Sequence, residues 1–396
     1  MLGPLTPAHA RALLSPSARV LVASADLDGG VCRAAGLPWS DVHWPTLISL
    51  TAFERAEPQV FRLLRAAPVG AVPEDVMQVM QGMYRVAVFR GDELADAAGM
   101  AADALNAARL PVLWLKGAAL AMQHRDGFSV RSMGDLDVLV SSGDLAAARA
   151  VLRTAGWRDG VDEESYLGHH HDAPMFWRGG IRLELHTDLF PPGNPFTAAS
   201  GADWLAKGVS VRWNERTVQV LPSAWHVVHA SVHWAWSHEG AVGTWQYLHD
   251  LPRLTAGWTV ASGEWQAVAA QARWLSATVP VGWALWTGSC LGDADKLDST
   301  LIAALRGRRG WLNGLAEREW VLRAFHSPAA SPSVRWSRYW WRHAMSGLGD
   351  SQREWPWMAG RSGIPVAASA PASPRRGSAR DAVTKWRRHL SRVLGG

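Results

Sequence analysis

The sequence predicts an α/β (α+β) fold: a small mixed β-sheet at 111–221 embedded in helices, with a helical C-terminal region. Three observations carry this. Short buried-type apolar runs, Pro111-Val-Leu-Trp-Leu115 and Leu136-Asp-Val-Leu-Val140, lie either side of a glycine turn at Lys116-Gly117. Before them, apolar residues recur at helical spacing. After Pro222 almost every segment carries a helical pattern, to about residue 345.

Residues 1–45 are rich in Ala, Leu and Pro, so short helical patches broken by Pro4, Pro7, Pro16 and Pro38 are expected. One helix is expected across 46–66. A longer one is expected through roughly 74–109, where Val76, Val79, Met80, Met83 and Val86 form an apolar stripe. The strand at 111–115 then turns at Lys116-Gly117 into a helix beginning at Ala118. Leu136–Val140 is a strand, and Ser141, Ser142 and Asp144 cap an Ala-rich helix ending near Gly156. Residues 173–177 and 181–186 flank Arg178-Gly-Gly180 as one hairpin, and 209–213 and 217–221 flank Asn214-Glu215 as another. The expected divisions are an N-terminal helical region at 1–110, the α/β core at 111–221, a helical region at 222–361, and a linker with a basic tail at 362–396.

Composition narrows the class. In 396 residues, 48% are hydrophobic and 19% charged, as in an ordinary folded protein. No apolar run has the roughly 18 to 20 residues that span a bilayer, and the first residues lack a basic and then apolar leader pattern. Two distant cysteines, Cys32 and Cys290, suit a reducing compartment, so a cytoplasmic location is expected. The net charge of +5 is concentrated in the tail, where seven Arg and Lys between 375 and 392 face Asp381 alone. Residues 1–366 are left with 33 basic and 34 acidic residues, so no extended nucleic-acid surface is expected. The tail is either a solvated terminus or a weak electrostatic contact. The 24 tryptophans are expected chiefly to fill cores.

The chemistry concentrates in three carboxylates. Asp135 and Asp137 are separated by one residue on a strand, so their side chains share a face, while Leu136, Val138 and Val140 mark the other face as buried. Two acids held that close repel unless a cation bridges them. Glu184 follows the same alternation between Leu183 and Leu185. Three acids beside a glycine turn suit divalent-metal-assisted phosphoryl or nucleotidyl transfer.

Around them, Arg131 either clamps phosphate or pairs with one of the core acids. Ser132 and Gly134 let the loop approach. His186 shares the face of Glu184, and either orients it, contacts substrate or serves only in support. Consecutive His169, His170 and His171 cannot easily point at one ion, but one of them, with His171 the candidate substrate contact, can reach the site from its loop. His226, His229 and His233 fall on one helical face, with His238 beyond. No HExxH pattern is present. Core or groove-lining roles suit them, and His233 is a candidate substrate contact. Asp250 is either a substrate contact or a helix anchor.

The order Leu115-Lys-Gly117, Arg131-Ser-Met-Gly-Asp-Leu-Asp-Val-Leu-Val140, Leu183-Glu-Leu-His186 and Tyr247-Leu-His-Asp-Leu251 resembles the bacterial uncharacterised nucleotidyltransferase family, within the DNA-polymerase-β-like superfamily, over roughly residues 45–260. The resemblance implies a nucleotidyltransferase core that moves NMP from an NTP to an acceptor hydroxyl or phosphate. The acceptor is a small molecule, sugar, peptide or protein. Mg²⁺ or Mn²⁺ would be held by Asp135, Asp137 and Glu184, with Lys116, Gly117, Arg131 and Ser132 binding the nucleotide. Ala118 departs from the Gly or Ser that usually follows the glycine, which removes a hydroxyl contact to phosphate. The alternatives are an inactive nucleotide- or partner-binding module of the same fold, favoured by Ala118, and a His-based metallohydrolase using 169–172 or 226–238.

Overall fold

The computed structural model describes residues 5–325 except 27–29, 125–126, 161–171, 178–179, 192–193, 197–198, 239, 241, 293–296, 307–316, 319 and 323–324. A seven-stranded mixed sheet is embedded in helices. Its strands are β1 (Val112–Leu115), β2 (Asp135–Val140), β3 (Arg158–Asp159), β4 (Asp172–Phe176), β5 (Arg182–His186), β6 (Val209–Trp213) and β7 (Arg216–Val220). They lie in the order β3-β4-β5-β2-β1-β7-β6. β2 and β5 are parallel, whereas β1 is antiparallel to β2 and parallel to β7. Both expected hairpins form, and the second turns through Asn214 at φ 52°. The two-residue strand β3 was too short to show a pattern.

The expected single helix over 46–66 is two, α1 (Trp44–Glu54) and α2 (Glu57–Arg65). Pro58 lacks an N–H, and its ring would collide with the Glu54 carbonyl in a continuous helix. The chain therefore breaks at Arg55, which adopts a left-handed φ of 55°. Helix α3 (Glu74–Ala107) follows, and then α4 (Lys116–Met122), which starts two residues before the expected Ala118. After the sheet come α5 (Ser223–Val232), a π-helical turn at His233–Ser237 and α6 (Thr244–Leu254). Helices at Gly263–Trp274, Thr278–Leu291 and Ser299–Arg306 continue the helical region. Expectations that fall on His169–His171, 326–361 and the tail lie outside the described residues.

The sheet separates two apolar clusters. On one face Val112, Trp114, Leu136, Val138, Val140, Leu183 and Leu185 pack with Leu94, Ala98 and Leu105 of α3. On the other, Leu113, Leu115 and Leu139 join the cluster of Val227, Val228, Trp245 and Leu251 from α5 and α6. Period-two alternation therefore sends Asp135, Asp137, Arg182, Glu184 and His186 to the face shared with Leu139. Tryptophans do fill cores: Trp114, Trp157, Trp204, Trp245 and Trp265 are fully buried.

Candidate active site

Register places the site. Asp135 pairs with Arg182, Asp137 with Glu184, and Leu139 with His186 across the parallel β2–β5 ladder. Directly opposed residues have neighbouring side chains, so Asp137 and Glu184 meet although 47 residues separate them. His186 donates through Nε2 to Asp137 Oδ1 at 2.7 Å and lies 3.5 Å from Glu184 Oε2. Among the described residues, Asp137, Glu184 and His186 are the one group of three whose metal-ligating atoms already all lie within 4.8 Å of one another. All three are buried. Asp135 stands at the outer end of the row, half-exposed, with Arg182 Nη2 3.4 Å from its Oδ2. Arg182 also bonds Glu184.

Lys116 joins β1 to α4 in a left-handed conformation at φ 49°. Such a backbone costs roughly 1–2 kcal/mol in a residue with a Cβ. The turn aims the side chain at the acids, with Nζ 2.6 Å from Asp137 Oδ1. Burial alone would raise the Asp137 pKa, but the Lys116 charge and the His186 bond outweigh it and hold the carboxyl far below its usual range. Asp135 is shifted the other way, first by burial and then by the charge of Asp137.

The remaining expected residues fall as follows. Arg131 is buried and bonded bidentately to Asp250, Nε to Oδ1 at 2.7 Å and Nη2 to Oδ2 at 2.8 Å. Its ion-pair partner is thus on α6 and not one of the core acids. Gly117 is pressed by the same guanidinium: a Cβ there would lie 2.3 Å from Arg131 Nη1 and 2.7 Å from Met133 Sδ. Ser132 is half-buried beside Glu57. His233 is paired with His238, with their Nε2 atoms 2.9 Å apart. His171 lies outside the described residues.

Two basic residues of the site were missed by sequence reasoning. Arg182 could have been found, because it precedes Glu184 by two residues and so shares its face. Arg55 could not. It belongs to the break between α1 and α2, and its guanidinium lies over Gly134, where a Cβ would meet Nη1 at 1.9 Å. From there it lowers the pKa of Asp135 electrostatically. Arg55 is exposed and has no ion pair among the described residues.

The arrangement offers two carboxylates and an imidazole to one cation, with a third carboxylate and four basic side chains around them. That is chemistry for polyanionic phosphate substrates. Comparison with known families agrees. The chain matches the model of the uncharacterised nucleotidyltransferase family over residues 40–291, and it belongs to that family. The matched span takes in Arg55, every described strand, α5 and α6. No curated protein matched the chain.

Proposed function

We propose that this member of the family is a metal-dependent nucleotidyltransferase, moving NMP from an NTP to an acceptor hydroxyl or phosphate. The observation that carries the reading is the cross-strand convergence of Asp137, Glu184 and His186. The donor set fits a divalent cation. Two carboxylates supply hard oxygen ligands, as Mg²⁺ or Mn²⁺ prefers, and the imidazole is a softer third donor. Asp137, Glu184 and His186 would hold the ion, with Asp135 beside them. Bound there, it would supply Lewis-acid stabilisation of negative charge on the oxygens of the transferring phosphoryl group.

The chain's own residues have separable tasks in this reading. With no ion bound, His186 Nε2 holds the Asp137 carboxylate through Oδ1, and it would exchange that proton for the metal when one binds. Lys116, on the same oxygen, offers a positive charge to an α-phosphate oxygen once phosphate competes with Asp137 for it. Arg131 shapes the turn by packing on Gly117 while anchored to Asp250, so its contribution is structural. Arg55, which makes no ion pair among the described residues, stands at the outer end near Asp135 and is assigned to the β- and γ-phosphates.

A second reading, a nucleotide-binding module without turnover, is favoured by Lys116 and Arg182 already offsetting the charges of Asp137 and Glu184. One experiment separates the two. The full chain is incubated with each α-phosphate-labelled NTP, Mg²⁺ or Mn²⁺, and a metabolite or lysate pool. Transfer abolished by Asp137→Asn supports the enzyme. NTP binding without transfer, under either metal, supports the module.

A further inference from the structure

We propose that His233 and His238, joined by His229 after a small side-chain movement, form a second metal site, for a borderline transition dication of the zinc class, beside the carboxylate centre. Three features of the α5 end point there, and none is used by the phosphate chemistry above.

The first is backbone. α5 unwinds after Val232 into a π-helical turn, closed by His238 N–H donating to the His233 carbonyl at 3.0 Å. π-bulges are rare and concentrate at functional sites. Here the i→i+5 spacing brings His233 and His238 together, which an α-helical turn would not do. Their Nε2 atoms lie 2.9 Å apart, with ring centroids at 4.4 Å. Two imidazole nitrogens about 2.05 Å from one ion are separated by about 2.9 Å at a right angle and about 3.3 Å at a tetrahedral angle. The pair already has chelating separation.

The second is an orphan. His229 is buried, and neither of its ring nitrogens has a hydrogen-bond partner among the described residues. Every tautomer of a neutral imidazole carries one N–H, and burying it unpaired costs about 1–3 kcal/mol. An unsatisfied buried polar group of this kind calls for an ion or water. The His229 ring lies 6.1 Å from that of His233, about 1 Å farther than rings sharing a tetrahedral ion, so closing on the metal takes only a small side-chain movement.

The third is chemical class. Imidazole without carboxylate selects zinc-class ions over Mg²⁺. The neighbouring Lys116 would oppose a cation, but its charge is offset by Asp137 at 2.6 Å. The exposed ring of His238 gives the ion a way in.

This inference does not depend on nucleotidyl transfer. The test silences the carboxylate centre with Asp137→Asn/Glu184→Gln in the full chain and titrates Co²⁺, reading visible ligand-field absorption. A saturable band is expected that Zn²⁺ displaces, that Mg²⁺ does not, and that His233→Gln/His238→Gln removes. A second measurement uses the unmodified chain: Zn²⁺ should shield His233 and His238, but not His9, from diethyl pyrocarbonate, as mapped by mass spectrometry. Absence of a band, a band that survives loss of both histidines, or equal labelling with and without Zn²⁺ overturns the site.

Discussion

Asp137 and Glu184 oppose each other across the parallel β2–β5 ladder, with the Asp137 Oδ1 bonded by both Lys116 and His186. Their positions are set by Val138 and Leu185, adjacent in the chain and fully buried on the far face. A one-residue slip would turn the acids into that core, so register and chemistry are specified together. Asp137→Asn keeps the shape and removes the charge. Nucleotidyl transfer should fall on the order of 10³-fold or more, matching the several kcal/mol that metal-borne charge stabilisation supplies. Steady-state label transfer measures this, and activity within tenfold of wild type would contradict the assigned role.

The Arg131–Asp250 pair ties the loop before β2 to α6. Both side chains are nearly inaccessible, so removing one leaves the other charged and unpaired. Asp250→Ala should cost about 3–5 kcal/mol of stability. Replacing both residues with apolar ones of similar volume should recover much of it. Chemical denaturation of the single and double variants decides. A substrate-contact role for Asp250 predicts instead normal stability with lost activity.

Much of this was legible in the sequence because it depends on local alternation. The Leu136-Asp-Val-Leu-Val140 and Leu183-Glu-Leu-His186 runs state which side chains face inward, and Gly134 and Gly180 just before them state where the strands begin. What stayed hidden depends on pairing. That Glu184 lies opposite Asp137 and not Asp135 follows from the β2–β5 register, which no local pattern encodes. The Arg131–Asp250 bond spans 119 residues. The π-turn at His233 pairs residues five apart, so α-helical spacing left His238 off the face of His226, His229 and His233. Arg55 reaches the site because Pro58 splits one expected helix into two, which a local apolar pattern does not show.

Arg55 offers a guanidinium beside Asp135 that is held in no ion pair among the described residues. Arg55→Ala should raise KM for NTP roughly 10- to 100-fold, since a charge-assisted bond contributes about 1.5–3 kcal/mol. Competition by pyrophosphate should weaken in parallel, while NMP affinity should not change. Inhibition constants for pyrophosphate and NMP test this, and equal losses for both would place Arg55 elsewhere in the site.

Glu54, the last residue of α1, is fully buried, and its Oε2 accepts the Trp245 N–H of α6 at 2.9 Å while Oε1 has no partner. Burial raises its pKa from 4.5 to about 7, against the opposing effect of the Trp245 bond. The folded state therefore binds a proton that the unfolded state has released between those two values. The contribution to stability is fully present below the unfolded pKa and declines as pH rises through the folded one. The loss over that window is about 3 kcal/mol. Glu54→Gln, which retains an acceptor for Trp245 and cannot ionise, should flatten the decline. Urea denaturation at intervals from pH 5 to roughly pH 8 gives both curves. Parallel slopes in the two proteins would show that Glu54 is already ionised in the fold at pH 5.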